Sequence, residues 1–485
     1  MSGDRPTADD RPAGTVLITV DCLRADALAD VAATGDSPAL ARLCERATVF
    51  ERAVANGNWT PFSFPSLLGA DHVFAADGEI GVAPGPTLAE ALSAEGITTA
   101  GFNAANGFLT PHWGYDRGFD QFRSFTSSSG PVGRFLTTHP TVQAWVEFAA
   151  APLRRTADRV AGRDVERGRN TSRLADVERA AVEFLESATE NRPFFLWIHY
   201  MDAHTPYVPA PRYVPEVSGR LGGTLRMLRA HARAGLGRDV TERTLADLRA
   251  LYRGAIRQID DSVGRVLAAL ERQGLREETC VVLAGDHGEE FGEHGHLAHY
   301  PKLYDELVHV PLVVDHPDGT AGRLSETVGL DAVPATIADA MGADAGPFRG
   351  ESLLETVVSG ERPPDGPVHS VAVRGDSVTA QPIPRRLADG ELLVSARTRE
   401  WTYVRHTDSG RTELYDRRVD PGEQHDVWEM RGHEPEPRRL ADATERYARR
   451  VGGADADGAT ADDGDEGADA VPAEIEDQLR ALGYS

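Results

Sequence analysis

The chain has 485 residues, 41% hydrophobic and 26% charged, so it can bury a large core and has the make-up of an ordinary globular protein. Its 51 basic and 76 acidic residues give a net charge of −25, which argues against nucleic acid as a general partner, because phosphate backbones are held by basic patches. Lys302 is the one lysine, and an acidic surface with arginine as nearly the sole cation points to a salt-adapted, halophilic source.

Residues 1–14 carry neither an apolar core nor a twin arginine, so no export signal is read and a cytoplasmic location is expected. No apolar run approaches the ~20 residues that span a bilayer. Thr15–Val20 (TVLITV) predicts a buried strand that ends at Asp21. Leu88–Ala94 reads as helix and Thr98–Phe102 as the next strand. Ser127–Gly237, rich in Arg, Gly and Pro, reads as insertions around a site mouth, with helical spacing over Leu174–Leu185. The basic stretch Arg154–Arg179 within it is a solvated helix face or a lid. Phe194–His199 (FFLWIH) predicts a further strand, followed by Asp202 and His204.

A long helix near Leu245–Leu270 sets Leu248, Leu251, Ile256, Ile259, Val263, Val266 and Leu270 on one face. Val281–Ala284 predicts a strand that Gly285 turns, Leu307–Asp315 another, and Leu330–Met341 a helix. After about Pro363 the texture changes: Glu391–Arg397, Trp401–Arg405 and Arg411–Tyr415 suggest a small antiparallel sheet. Gly452–Ala470 is an acidic stretch without apolar periodicity, expected to be disordered, and Ile475–Leu482 a short terminal helix. Cys22, Cys44 and Cys280 are too few for a disulfide framework, and Cys22 and Cys280 are expected to pack as small hydrophobes.

Strands alternating with helices describe a mixed α/β sheet, in which ligands bind outside the carboxyl ends of the strands. Three apolar runs deliver Asp or His just past that end: Asp21, then Asp202 and His204, then Asp286 and His287. A carboxylate beside an imidazole is a natural pair of divalent-cation ligands. His294, His296 and His299 follow among acidic residues. Structural alternatives exist for single residues. Asp21 could cap the helix that starts near Arg24, and His204 could be a buried hydrogen-bonding histidine.

LITVDCLRAD, WTPFSFPSLLG, TTAGF…RGFDQF, HYMDAHTPY, LAGDHGEEFGEHG, LYDELVHVPLVV, LYDRRVDPGEQHDV and IEDQLRALGYS, in this order and spacing, resemble the sulfatases of the alkaline phosphatase superfamily. The resemblance implies a large α/β/α sandwich with a mixed, mostly parallel sheet and a small C-terminal antiparallel subdomain. On this sequence the bounds become a disordered N-terminus at 1–14, a catalytic domain at 15–362, a C-terminal subdomain at 363–450, an acidic linker at 451–471 and a terminal helix at 472–485. It also implies a metal-dependent hydrolase of sulfate or phosphate esters.

The departures concern the nucleophile. Sulfatases convert a Cys or Ser to formylglycine in a C/S-x-P-x-R motif, whereas TPFSFPS places Thr60 at that position and Phe62 and Phe64 at the motif's Pro and Arg. Threonine is no formylglycine precursor, and as a nucleophile it resembles the phosphodiesterase and phosphotransferase branches. Ser63 is a second candidate in a shifted register. Cys22 stands where many members carry a second metal-binding Asp.

The resemblance implies Asp21, Thr60, Asp286 and His287 as metal ligands, Thr60, His204 and His299 as catalytic groups, and His296, Asn106 and Lys302 as substrate contacts. Asn103 is a further donor to substrate or a turn residue. Two carboxylates, an imidazole and a hydroxyl suit Mn2+ or Mg2+, and Ca2+, which formylglycine sulfatases use, is the third candidate. The substrate would be an anionic ester of a small molecule, glycan or lipid head group. Alternatives are a phosphoethanolamine- or glycerophosphate-transferase-like enzyme and a non-catalytic relative that keeps fold and metal. Oligomeric state has no signature in the sequence.

Overall fold

A computed structural model of the chain describes residues 11–75, 78–125, 173–188, 192–214, 240–299, 301–364, 366–375 and 384–452. The expected acidic linker from residue 453 on, the terminal helix, residues 1–10 and most of the Ser127–Gly237 insertions lie outside the described residues, while Val451 ends a helix.

In chain order the strands are β1 (Gly14–Val20), β2 (Thr48–Val54), β3 (Thr98–Asn103), β4 (Gln121–Ser124), β5 (Phe194–Tyr200) and β6 (Thr279–Gly285). A two-residue ribbon, β7 (Glu290–Phe291) and β8 (Leu297–Ala298), precedes β9 (His309–Asp315) and β10 (Gly322–Gly329). Eight of them form one sheet in the order β10-β2-β9-β6-β1-β5-β3-β4. Only β9 runs against its neighbours in it, β2 and β6; the other pairs are parallel.

The central strands β1, β5 and β6 are buried along their whole length, because helices cover both faces of a parallel sheet and its middle strands must be apolar throughout. Alternate residues go to opposite layers. Val16, Ile18, Val20, Leu196, Ile198, Val281 and Leu283 pack with helices Ala25–Ala33, Leu174–Ser187 and Glu242–Gln273. Leu17, Trp197, Val282 and Ala284 pack with helices Thr60–Leu68, Leu88–Ala94 and Ala332–Ala340. The result is the expected α/β/α sandwich. No helix among the described residues is long and apolar enough to cross a membrane.

Three expectations are corrected in detail. Leu307 and Val308 close a short helix, Asp305–Val308, by donating back to Tyr304 O, so β9 begins at His309. Gly285 is the last paired residue of β6, not the turn. Asp21 caps nothing: the first helix begins at Ala25 with Arg24 at its N-cap, and no side chain caps it.

The small sheet comprises β11 (Val368–Arg374), β12 (Glu391–Arg397), β13 (Trp401–His406) and β14 (Thr412–Asp416), antiparallel in that order. Helix Pro435–Val451 lies against β12 and β13. Val371 N donates to Asn56 O at 2.9 Å, tying it to the sandwich. The stronger tie is Arg397. It is fully buried, and its guanidinium meets Glu423 at 2.7 Å, Asp305 at 3.1 Å and the Leu303 carbonyl.

Removing one partner of a buried ion pair leaves the others uncompensated. Arg397→Ala should therefore cost about 3–5 kcal/mol in urea unfolding. Arg323→Ala, which breaks an exposed pair with Glu51, should cost no more than about 1 kcal/mol. Equal costs would show that Arg397 does not couple the two sheets.

Candidate active site

Asp21 and Asp286 leave the carboxyl ends of β1 and β6, and the register that pairs Val20 with Gly285 sets them side by side. Both are fully buried. His287 Nε2 lies 3.3 Å from Asp21 Oδ1 and 3.7 Å from Asp286 Oδ2. Its Nδ1, 2.9 Å from Gly288 O, fixes the ring. Position 288 must be glycine, since a Cβ there would run into the Glu306 carbonyl oxygen.

Thr60 is the first residue of helix Thr60–Leu68. Its Oγ1 lies 2.9 Å from Asp286 Oδ2, 3.3 Å from Asp21 Oδ2 and 3.4 Å from His287 Nε2. A hydroxyl has one hydrogen and cannot satisfy both carboxylates. Ser63, one turn on, donates to Asp286 O at 2.6 Å and is spent on holding that loop. Asn106 Nδ2 donates to Asp21 Oδ2 at 2.9 Å and lies 3.4 Å from Thr60 Oγ1. Asn103 ends β3 and its side chain holds the following turn: its amide donates to Asn106 O and Leu109 O, and its Oδ1 accepts from Asn106 N.

Three imidazoles follow one another across the cluster. His204 and His299 have ring centroids 5.0 Å apart, and His299 and His287 5.1 Å. The Thr205 carbonyl holds His204 Nδ1, and Trp59 Nε1 donates to the His299 carbonyl. Asp202, the other residue expected here, turns away and accepts from Gln258 at 2.6 Å. His296 and Lys302 belong to a neighbouring set on buried Glu290. Lys302 Nζ lies 2.8 Å from His296 Nδ1 and 3.5 Å from Glu290 Oε2, while His296 N donates to Glu290 Oε1.

Two residues of the cluster were not anticipated in these roles. Cys22 is no apolar filler; its Sγ lies 3.2 Å from Asp21 Oδ1, whereas Cys280 does pack in an apolar layer. His199, the last residue of FFLWIH, points Nε2 to within 3.7 Å of Asp21 Oδ2 while Nδ1 meets Thr19 Oγ1 at 3.0 Å. Its signal was present, since a polar residue one short of the end of an apolar strand can reach the same crevice as the ligands.

The electrostatics favour positive charge at the centre. Burial pushes the Asp21 carboxyl up, but His204, His199 and His287 outweigh it and hold Asp21 well below the usual carboxylate range. Burial and the neighbouring Asp21 charge raise Asp286. Burial opposes charge on His287, yet Asp286 and Asp21 prevail and push it up to about 9. Burial drives His299 down to about 4, so it is neutral at neutral pH. Ligand atoms of Asp21, Asp286 and His287 lie within 4.8 Å of one another. With the doubly contacted Thr60 hydroxyl, they fit a divalent cation in the place where two carboxylates converge.

A sulfatase family model matches residues 14–343. The chain belongs to the sulfatase family. This sulfatase-family chain is 28% identical over 200 residues to a multifunctional alkaline phosphatase superfamily protein of Trinickia caryophylli, covering 36% of this chain and 39% of that one. It is 26% identical over 270 residues to an uncharacterized sulfatase of Escherichia coli strain K12, covering 52% and 50%. It thus spans half or less of these curated relatives. Among solved structures, a phosphonate monoester hydrolase from Silicibacter pomeroyi superposes with TM-score 0.66 at 20% identity, over 90% of this chain and 95% of that one. A protein solved with its substrate D-glucosamine-2-N,6-O-disulfate gives 0.66 at 15% identity, over 92% and 99%. At these identities the likeness to the solved structures is one of fold.

Members of the sulfatase family generally use a divalent metal, and the Asn106 amide orients one carboxylate of the set found here. Groups that orient ligands typically contribute 10–100-fold to metal affinity. Asn106→Ala should weaken Mn2+ binding by about that factor in titration calorimetry. Unchanged affinity would mean that Asp21 needs no such support.

Proposed function

We propose that this chain hydrolyses sulfate or phosphate esters with Thr60 as nucleophile and a divalent cation, Mn2+ or Mg2+ ahead of Ca2+, held by Asp21, Thr60, Asp286 and His287. The observation that carries the reading is the Thr60 hydroxyl, buried and within 3.4 Å of all three of those side chains. Ser63 is a poor rival because its hydroxyl already binds the Asp286 backbone.

A threonine hydroxyl is a weak nucleophile unless a base or an ion activates it. The cation, when bound, would lower the pKa of that hydroxyl and neutralise charge on the ester. Asp286 Oδ2, at 2.9 Å, takes the Thr60 proton as Oγ1 attacks phosphorus or sulfur. The ester oxygen leaves as an alcohol after receiving a proton from His204. Water, losing its proton to neutral His299, then cleaves the covalent Thr60 ester while Asp286 returns its proton to Thr60 Oγ1, and passage of the proton from His299 to the adjacent His204 resets the site. Asn106, with its amide beside Thr60, donates to an ester oxygen, and the His296–Lys302 pair meets the anionic remainder of the substrate. The substrate class that fits is an anionic ester of a small molecule, glycan or lipid head group.

Matched nitrophenyl sulfate, phosphate monoester and phosphodiester, assayed in high salt with each metal, test this reading. Thr60→Ala should lower turnover by about three orders of magnitude or more, the scale seen when a nucleophile is removed. Ser63→Ala should stay within about tenfold while losing about 1 kcal/mol of stability with its hydrogen bond. The reverse pattern would assign the nucleophile to Ser63. Silence on every ester would favour transfer to an acceptor other than water.

A further inference from the structure

A cleft of about 520 Å³ opens between the sandwich and the small sheet, at the far end of the helix that Thr60 begins. At 1.5 Å per residue, Gly69 on its wall stands about 13 Å along that helix from Thr60, so the cleft is separate from the crevice at the strand ends. Asn56 joins two of its sides: Nδ2 donates to His369 O at 3.1 Å, and Oδ1 accepts from Asp331 N at 2.9 Å. A further wall is one face of helix Pro435–Val451, where Ala443, Arg446, Tyr447 and Arg450 recur at helical spacing.

In a chain of net charge −25 this cleft gathers cations. Arg349, Arg446 and Arg450 line it, with Asp71 and Asp331 as its carboxylates. Asp71 is spent on Arg349, whose Nη2 lies 3.1 Å away. Arg446 and Arg450 make no hydrogen bond or ion pair among the described residues, although like charges four apart on a helix repel. Glu445, beside Arg446 in the chain, pairs instead with Arg405 at 2.8 Å and Arg449 at 3.3 Å. The His369 ring lies flat on Tyr447, 3° from parallel with centroids 4.4 Å apart, and its Nε2 is buried with no hydrogen-bond partner among the described residues. Leaving a buried polar atom unpaired is costly. Burial, then the charges of Arg450 and Arg446, push His369 down to about 4, so the ring is neutral and both guanidiniums act on it.

We propose that this cleft binds a tetrahedral oxyanion, phosphate or sulfate, free or borne on a small organic group, held by Arg446, Arg450 and Arg349. Guanidinium forks match the paired oxygens of such anions and form charge-assisted hydrogen bonds to them. The neutral His369 imidazole donates from Nε2 to a further oxygen, which satisfies the buried atom. Asp331 is the carboxylate left facing the anion, and burial shifts it toward its neutral form. The cleft has the volume of a small-molecule site and so has room for an organic group beside the anion. Occupancy links helix Pro435–Val451 to the sandwich through Arg349, a role independent of the reaction proposed for Thr60.

The test titrates inorganic phosphate, inorganic sulfate and benzylphosphonate, whose C–P bond resists hydrolysis, into the full chain with Mg2+ at fixed ionic strength. Calorimetry reads the affinity, and the unfolding midpoint reads the stabilisation that binding brings. Binding at the cleft should survive Asp286→Asn, which disables the candidate catalytic centre. It should weaken at least about tenfold when Arg446→Ala and Arg450→Ala are combined. Both arginines are exposed on the helix surface, so the double variant should keep the unfolding midpoint of the wild type without anion. His369→Phe, which keeps a ring on Tyr447 but has no N–H, should weaken binding by about tenfold. Tighter binding of benzylphosphonate than of phosphate would assign the site to an organic oxyanion, and equal binding to the free ion. Binding lost in Asp286→Asn but indifferent to the arginines would place the anion at the catalytic centre and overturn the proposal. Binding indifferent to every variant, or none with any of the three probes, would overturn it as well.

Discussion

Two carboxylates buried side by side are the constraint on which the site depends. Asp21 and Asp286 are adjacent because β1 and β6 run parallel with Val20 opposite Gly285, so the next residue of each strand enters the same crevice. Two like unit charges about 4 Å apart repel by about 4 kcal/mol at the effective dielectric of a protein interior, against about 1 kcal/mol in water. Such a pair persists only where positive charge is gathered around it. His287, His199 and His204 provide imidazoles, and a divalent cation at the convergence would offset the repulsion fully.

The helix that opens at Thr60 is built to meet that pair. Trp59, just ahead of it, binds the His299 carbonyl and stacks on Phe62, so the entry of the helix and the histidine loop hold each other. Ser63 then fastens the helix to the Asp286 backbone. Thr60 is thereby presented from the helix N-terminus, where the backbone dipole also favours an approaching anionic ester. The small sheet contributes indirectly, since Arg397 anchors the Leu303–Asp305 segment that leads into β9.

Much of this was legible in the sequence, and what was missed has physical reasons. The central strands announced themselves as unbroken apolar runs because both their faces are covered. β2 and β10 did not: Thr48–Val54 carries Glu51 and Arg52, and Gly322–Gly329 lies at the sheet edge with five of its eight residues at least partly exposed. Asp21, Asp286 and His287 were readable from their places at strand ends. The inward turn of Cys22 was not, because a left-handed backbone at a cysteine has no residue-type signal. Asp202 illustrates the converse: it stands at a strand end like Asp21 but turns to Gln258 on the long helix, a choice that only packing decides.

The claim that organises these observations is that Thr60 forms a covalent ester during turnover. Rapid quenching of the enzyme with a phosphate or sulfate ester, followed by peptide mass mapping, tests it most directly. The account predicts a phosphoryl or sulfuryl group on Thr60 at early times, absent from Thr60→Ala and from enzyme without ester. The same group on Ser63, or steady turnover with Thr60 unmodified at every time point, would contradict it.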